Sequence, residues 1–208
     1  MGGLRVEFAG VSKRFGRKTV LAGVSGAVER GRVLVVTGPN GSGKSTLLNI
    51  LAGLMRPTQG VVRYHQNGHE LPRSAWRHVL GVCAPDMAVY EELSALENLE
   101  LFASLRGLAL SESALSELFV RLGLSPSDLR RPVGQFSSGM LQRVKLAQAL
   151  VHRPEVLLLD EPSSNLDRTG HHVLAEVVAE MKERAAVVVA TNDPREVAWG
   201  DETLELGP

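Results

Sequence analysis

The chain has 208 residues, 44% of them apolar, with 23 basic and 23 acidic side chains and no net charge. That length supports one domain of the larger sort with a substantial core, and the even charge balance argues against a dedicated nucleic-acid surface, which needs excess positive charge. Cys83, the single cysteine, excludes an internal disulfide and fits a reducing compartment, and no apolar run approaches the roughly 18 residues that a membrane-spanning helix needs.

Met1-Gly2-Gly3-Leu4-Arg5 carries no secretory apolar core, and Val6 stands where myristoylation of Gly2 requires Ser or Thr. Any membrane role is therefore expected to come through a partner. Leu4, Val6 and Phe8 alternate with other residues, as do Val24, Gly26 and Val28, which predicts strands over 4–8 and 24–28. Between them, Lys13-Arg14-Phe15-Gly16-Arg17 reads as an exposed basic loop. Glu29-Arg30-Gly31 turns the chain into Val33-Leu34-Val35-Val36-Thr37, an apolar β-branched run.

Gly38-Pro39-Asn40-Gly41-Ser42-Gly43-Lys44-Ser45 then matches G-x-x-x-x-G-K-[ST] in full, and the helix-like stretch Thr46 to Ala52 follows. Strand, glycine-rich loop and helix is the context in which this motif holds the phosphates of a nucleoside triphosphate. Gly38, Gly41 and Gly43 permit turns that a Cβ would block, so that backbone N–H groups converge at the positive end of a helix. Lys44 supplies a point charge for the β- and γ-phosphates, and the Ser45 hydroxyl suits Mg²⁺. Asn40, Ser42 and Thr46 complete the set of candidate phosphate-binding residues.

Gly53 closes that helix, Pro57-Thr58-Gln59-Gly60 turns, Val61 to Tyr64 is strand-like and Asn67-Gly68 is a tight turn. Leu80 to Ala84 reads as a buried strand with Cys83 as apolar filler. From about 93 to 129 the periodicity is helical: Leu96, Leu99, Phe102 and Leu105, then Leu115, Leu118, Phe119 and Leu122 in a second helix capped by Ser111. After this helical insert the chain alternates again. Helices are expected at 140–151, 169–184 and 194–198, and strands at 156–160, 186–190 and 203–206. The runs Val156 to Leu159 and Ala186 to Ala190 suit a parallel sheet covered on both faces.

The strand Val156 to Leu159 ends in Asp160-Glu161. Open α/β sheets bind ligands at the C-terminal ends of their strands, so Asp160 is a candidate for the Mg²⁺ shell, through water, and Glu161 for accepting a proton from an attacking water. The alternative is a strand end with two solvated acids, and the phosphate loop upstream favours the first reading.

Phe136-Ser137-Ser138-Gly139-Met140-Leu141-Gln142-Arg143 resembles the signature motif of ABC-type ATPases, and Ser163-Ser164-Asn165-Leu166-Asp167 resembles their D-loop. With the phosphate loop and the Asp160-Glu161 strand, four ordered motifs carry the resemblance over nearly the whole chain. It implies an α/β P-loop NTPase of ABC ATPase type: a mixed-sheet core, an antiparallel β subdomain and a helical insert. The implied layout is a single domain over 1–208, with 1–85 and 136–208 as catalytic core and 86–135 as helical subdomain. The implied ligands are ATP and Mg²⁺. The resemblance further implies that Ser138 and Gly139 bind the γ-phosphate held by an opposite subunit, two ATPase chains pairing head to tail as a homo- or heterodimer, with Ser137 and Asp167 also among the nucleotide-binding residues. Phe15 is implied as the ring that stacks on adenine; a core Phe is the alternative.

The implied partner is a separate transmembrane permease, with the ATPase bound peripherally at the cytoplasmic face of the inner membrane and no nucleic acid involved. The Ser-Ser-Gly-Met form is similar to a bacterial exporter branch that includes ATPases assigned to haem export in cytochrome c maturation. A soluble ABC ATPase acting on ribosomes or DNA, or a nucleotide-gated module with little turnover, are the competing readings. The cargo is not written in these residues. Two positions depart from the family pattern. Pro85, followed by Asp86, stands where a glutamine is usual, and Asn192, followed by Asp193, stands where a histidine is usual. Asp86 is either a substitute metal-shell acid or a solvated one. Asn192 is retained as a catalytic candidate because its amide can donate to a phosphate oxygen, although it cannot carry charge. His171 and His172 read as surface or capping residues.

Overall fold

Alternating apolar residues build the first layer of the molecule. A computed structural model describes residues 3–207; Met1 and Gly2, on which the reading of the N-terminus partly falls, lie outside the described residues. Strands β1 (Leu4–Phe15) and β2 (Lys18–Glu29) form an antiparallel hairpin. Leu4, Val6, Phe8 and Val11 of β1 point into the core. Both strands run well past the expected 4–8 and 24–28. Register shifts between Phe8 and Val11, and again on to Arg14, break the period-two pattern that sequence reading relies on. Strand β3 (Val33–Thr37) leads into the phosphate loop and helix α1 (Lys44–Leu51). Strands β4 (Gln59–Gln66) and β5 (His69–Glu70) then complete a four-stranded sheet in the order β2-β1-β4-β5.

Helix α2 (Arg73–Val79) was not foreshadowed by periodicity. It is short, and its one buried side chain, Trp76, is placed by stacking on Tyr64 with ring centroids 4.3 Å apart. Strand β6 (Leu80–Cys83) follows, with Cys83 fully buried as expected of an apolar filler.

The helical insert contains α3 (Ala95–Leu105), opened by a Ser94/Glu97 capping box, and α4 (Glu112–Arg121), capped by Ser111. A short 3₁₀ turn, Val133–Gln135, precedes α5 (Ser138–Leu150). The remaining elements are β7 (Val156–Asp160), α6 (Arg168–Arg184), β8 (Ala186–Ala190), α7 (Pro194–Val197) and β9 (Glu202–Glu205).

The second sheet has the order β6-β7-β8-β3-β9, and every pairing in it is parallel. Its alternation sorts the core in two. Val33, Val35, Leu157, Leu159, Val187 and Val189 face one side with residues of α3 to α6; Leu34, Val36, Val156, Leu158, Ala186 and Val188 face the other with α1 and the antiparallel sheet. Burying both faces makes β7 and β8 continuous apolar runs, which is why they were so easily read. Among the described residues no helix is long and apolar enough to cross a membrane.

Candidate active site

The phosphate loop is shaped by glycines that cannot be replaced. Gly38, Gly41 and Gly43 have φ of 142°, 84° and 101°. A Cβ on Gly38 would lie 2.5 Å from the Leu206 carbonyl oxygen, and one on Gly43 would lie 2.7 Å from Leu21 Cδ2. Gly43 opens α1 without a side-chain cap, and no acidic residue stands in the first turn. The helix start therefore offers free N–H groups and a positive dipole end to an anion. Lys44 is only 7% exposed. Its Nζ donates to the Gly38 carbonyl at 2.8 Å and stands 3.8 Å from Glu161 Oε1. The Ser42 hydroxyl is buried in the same loop without a partner.

Asp160 and Glu161 arrive on β7, two strands from β3 with β8 between them. Asp160 is 5% exposed. The Ser45 hydroxyl lies beside its carboxyl, while Oδ1 is buried with no partner. Burial raises the proton affinity of Asp160, the Ser45 hydroxyl and Lys44 oppose that, and the charge of Asp86 adds to it. An orphan carboxylate oxygen beside a serine hydroxyl fits a Mg²⁺ ion, which takes one or two carboxylates and fills its remaining positions with phosphate oxygens and water. Among the described residues no group of three His, Cys, Asp or Glu could hold a metal alone, so such an ion would depend on the triphosphate.

Glu161 adopts φ of 45°, a left-handed conformation that is unusual for a residue with a side chain. Its N–H donates to the Ala190 carbonyl at 2.9 Å, which turns it off the end of the sheet. Burial raises its proton affinity first, Lys44 opposes this, and the charges of Glu196, Asp160 and Asp193 add to the rise. A carboxylate so tuned suits general-base work.

Asn192 follows β8, and its Nδ2 donates to Asn40 Oδ1 at 3.1 Å, so the departure from histidine lies directly against the phosphate loop. Asp193 caps α7 and pairs with Arg195. The Arg195 hydrogen bond holds the Asp193 carboxyl down at about 2. His171 is engaged by Arg195 at 3.1 Å and His172 pairs with Glu176 on the helix surface; neither reaches the phosphate loop by a hydrogen bond. The Pro85 carbonyl accepts from Lys145 Nζ, and Asp86 is exposed nearby.

The signature segment forms a second, separate cluster. Helix α5 begins at Ser138, two residues earlier than expected, because the Ser137 hydroxyl accepts the Met140 N–H at 3.3 Å and caps it. Ser138 and Gly139 therefore lie inside the first turn. Gly139 is needed for contact with the D-loop, since a Cβ there would lie 2.8 Å from the Asn165 carbonyl oxygen. Asp167 caps α6 by accepting the Gly170 N–H at 2.8 Å and is bonded by Arg143 at 3.1 Å. Its proton affinity is lowered, chiefly by the Gly170 bond. Among the described residues, no hydrogen bond or ion pair joins Ser137, Ser138 or Gly139 to the phosphate loop. Phe15 lies at the end of β1 by the hairpin tip, 49% exposed, with Lys13 Nζ 5.0 Å from its ring centre. It is not a core residue.

Two residues that sequence reading did not single out face the Glu161 turn: Gln142 bonds the Pro162 carbonyl and Glu196 accepts the Ser163 N–H.

The sequence pattern described as ABC transporter matches residues 21–164. The chain belongs to the ABC transporter family. The lantibiotic transport ATP-binding protein SrtF of Streptococcus pyogenes is 34% identical over 90% of this chain and 79% of SrtF. The daunorubicin resistance ATP-binding protein DrrA3 of Streptomyces coeruleorubidus is 37% identical over 95% of this chain and 63% of DrrA3. An Fe(3+) ions import ATP-binding protein, FbpC 2 of Rhodococcus jostii, is 35% identical over 94% of this chain and 58% of its own length. Among solved structures, the dimeric bacterial ABC transporter cassette MJ0796 superposes with a TM-score of 0.86 at 26% identity, covering 97% of this chain and 94% of that one. The same cassette is known as a post-hydrolysis dimer with ADP and Pi. This ABC cassette is an α/β P-loop ATPase and an ATP-binding subunit of a transporter.

Proposed function

We propose that the cassette binds Mg²⁺·ATP at the loop Gly38–Thr46, pairs head to tail with a second cassette, and hydrolyses the nucleotide with Glu161 to drive export through a separate permease. One observation carries this reading: Lys44, the Ser45–Asp160 pair and the left-handed Glu161 converge at the C-terminal ends of β3 and β7, around a loop whose Gly38 and Gly43 have no room for a Cβ. Lys44 and the N–H groups of α1 would hold the β- and γ-phosphates. Ser45 and Asp160 would hold Mg²⁺, which neutralises phosphate charge when bound. Glu161 would take the proton of the attacking water, and the Asn192 amide would orient a γ-phosphate oxygen beside Asn40. Phe15 would offer a ring face to the adenine.

The Ser137–Gly139 helix start lies apart from the phosphate loop of its own chain, which supports completion of each site by the opposite protomer, a copy of this chain in the simplest assembly. With a core of 1–85 and 136–208 and a helical subdomain of 86–135, α3 and α4 would meet the permease, and the cassette would be peripheral at the cytoplasmic face of the inner membrane. Export rests on the Ser-Ser-Gly-Met form, since relatives by name include both drug resistance and ion import. Steady-state phosphate release by the cassette purified with its membrane subunit tests the reading. Release that depends on Mg²⁺ and collapses in Glu161→Gln is expected; equal release in both would leave a nucleotide-gated module. That second reading is favoured by the uncharged Asn192 and by Pro85, and the same assay separates the two.

A further inference from the structure

The peptide group that joins Pro162 to Ser163, one residue beyond Glu161, is held from both sides by buried side chains. The Pro162 carbonyl accepts from Gln142 Nε2 at 2.8 Å, and the Ser163 N–H, the other end of the same planar unit, donates to Glu196 Oε1 at 3.1 Å. Gln142 is 8% exposed and Glu196 is 0% exposed. Gln142 has a second anchor, Cys83 Sγ at 3.6 Å, so both hydrogens of its amide are engaged. Pro162 has its φ fixed by its ring. Clamping the next peptide plane fixes the Pro162 ψ, and the Glu161 N–H is fixed to the Ala190 carbonyl at 2.9 Å. Little freedom is left to Glu161, and the left-handed φ of 45° persists because both of its flanks are tied.

The two clamping residues come from separate elements. Gln142 lies one turn into α5, whose start carries Ser138 and Gly139, and Glu196 lies in α7, which follows Asn192 directly. We propose that Gln142 and Glu196 are positioning residues that hold Glu161 in its hydrolytic pose, linking the signature helix and the segment after Asn192 to the general base. This rests on the reading of Glu161 given above. It assigns work to a fully buried acid whose bonded partner is the Ser163 N–H.

The test is kcat and KM for ATP, with equilibrium Mg²⁺·ATP affinity, for wild type, Glu161→Gln, Glu196→Ala, Glu196→Gln and Gln142→Ala. Glu196→Ala is expected to lower kcat about tenfold with KM and affinity within about twofold, the pattern of lost positioning. Glu196→Gln keeps an acceptor for Ser163 and is expected to recover most of that loss. Gln142→Ala, on another helix, carries the same test should Glu196→Ala not fold, with a similar fall in kcat expected. Wild-type kcat in both alanine variants, affinity falling in step with kcat, or no recovery in Glu196→Gln would overturn the clamp. Equal turnover in wild type and Glu161→Gln would instead remove Glu161 as the base, and the clamp with it.

Discussion

The phosphate-loop end and the signature end of this cassette are built on opposite plans. The first is self-contained. Lys44 is buried and bonded within its own loop, Ser45 meets Asp160, and Gly38 and Gly43 have no room for a Cβ. The second is unfinished. Ser137 has spent its hydroxyl on capping α5, Ser138 is exposed, and the D-loop packs on Gly139, yet among the described residues none of them bonds to the phosphate loop of the same chain. Under the proposed head-to-tail pairing, the difference makes binding and turnover separable: the loop of one chain would hold the triphosphate, and the signature end of another protomer would cover its far side.

The comparison breaks most completely at Lys44. Lys44→Ala removes the loop's only cation and should reduce both affinity and turnover at least about 100-fold, seen by equilibrium titration and phosphate release. Glu161→Gln should cut turnover by a comparable factor, about 100-fold, while affinity stays near wild type. Gly139→Ala sharpens the contrast from the other end. Its Cβ would press on the Asn165 carbonyl, so turnover should fall about tenfold with single-chain nucleotide affinity unchanged. The smallest effect belongs to Asn192→His, which restores a chargeable donor beside Asn40 and should raise turnover about threefold; a fall would show a site tuned around the amide.

The pH dependence follows the sign of the Glu161 shift. A base must be deprotonated, and burial raises the proton affinity of this carboxyl. Turnover should therefore fall on acidification at a pH above the ordinary glutamate value of 4.5, whereas a limb at or below that value would contradict the geometry.

How far the sequence could be read depended on how local the physics was. The phosphate loop acts through the backbone of eight successive residues, so its pattern was its structure. Strands β7 and β8 were legible because burial on both faces leaves an unbroken apolar run. The hairpin β1–β2 was read short because its bulges interrupt alternation, and α2 was missed because Trp76 is placed by Tyr64 rather than by its neighbours in sequence. Glu196 shows the limit most clearly. Asp193-Pro194 announces a helix start, and an acid three residues after the cap looks like ordinary dipole compensation. Only the packing of α7 against the turn after Glu161 sends that carboxylate inward to Ser163.

The most direct test of the account mixes two impaired chains. Lys44→Ala keeps an intact signature end, and Gly139→Ala keeps an intact phosphate loop. If each nucleotide is enclosed by the loop of one protomer and the signature of its partner, an equimolar mixture forms pairs with one complete site, and specific turnover rises toward about a quarter of wild type. Turnover that stays at the mean of the two separate proteins would show that each chain works with its own residues alone, and would contradict the account.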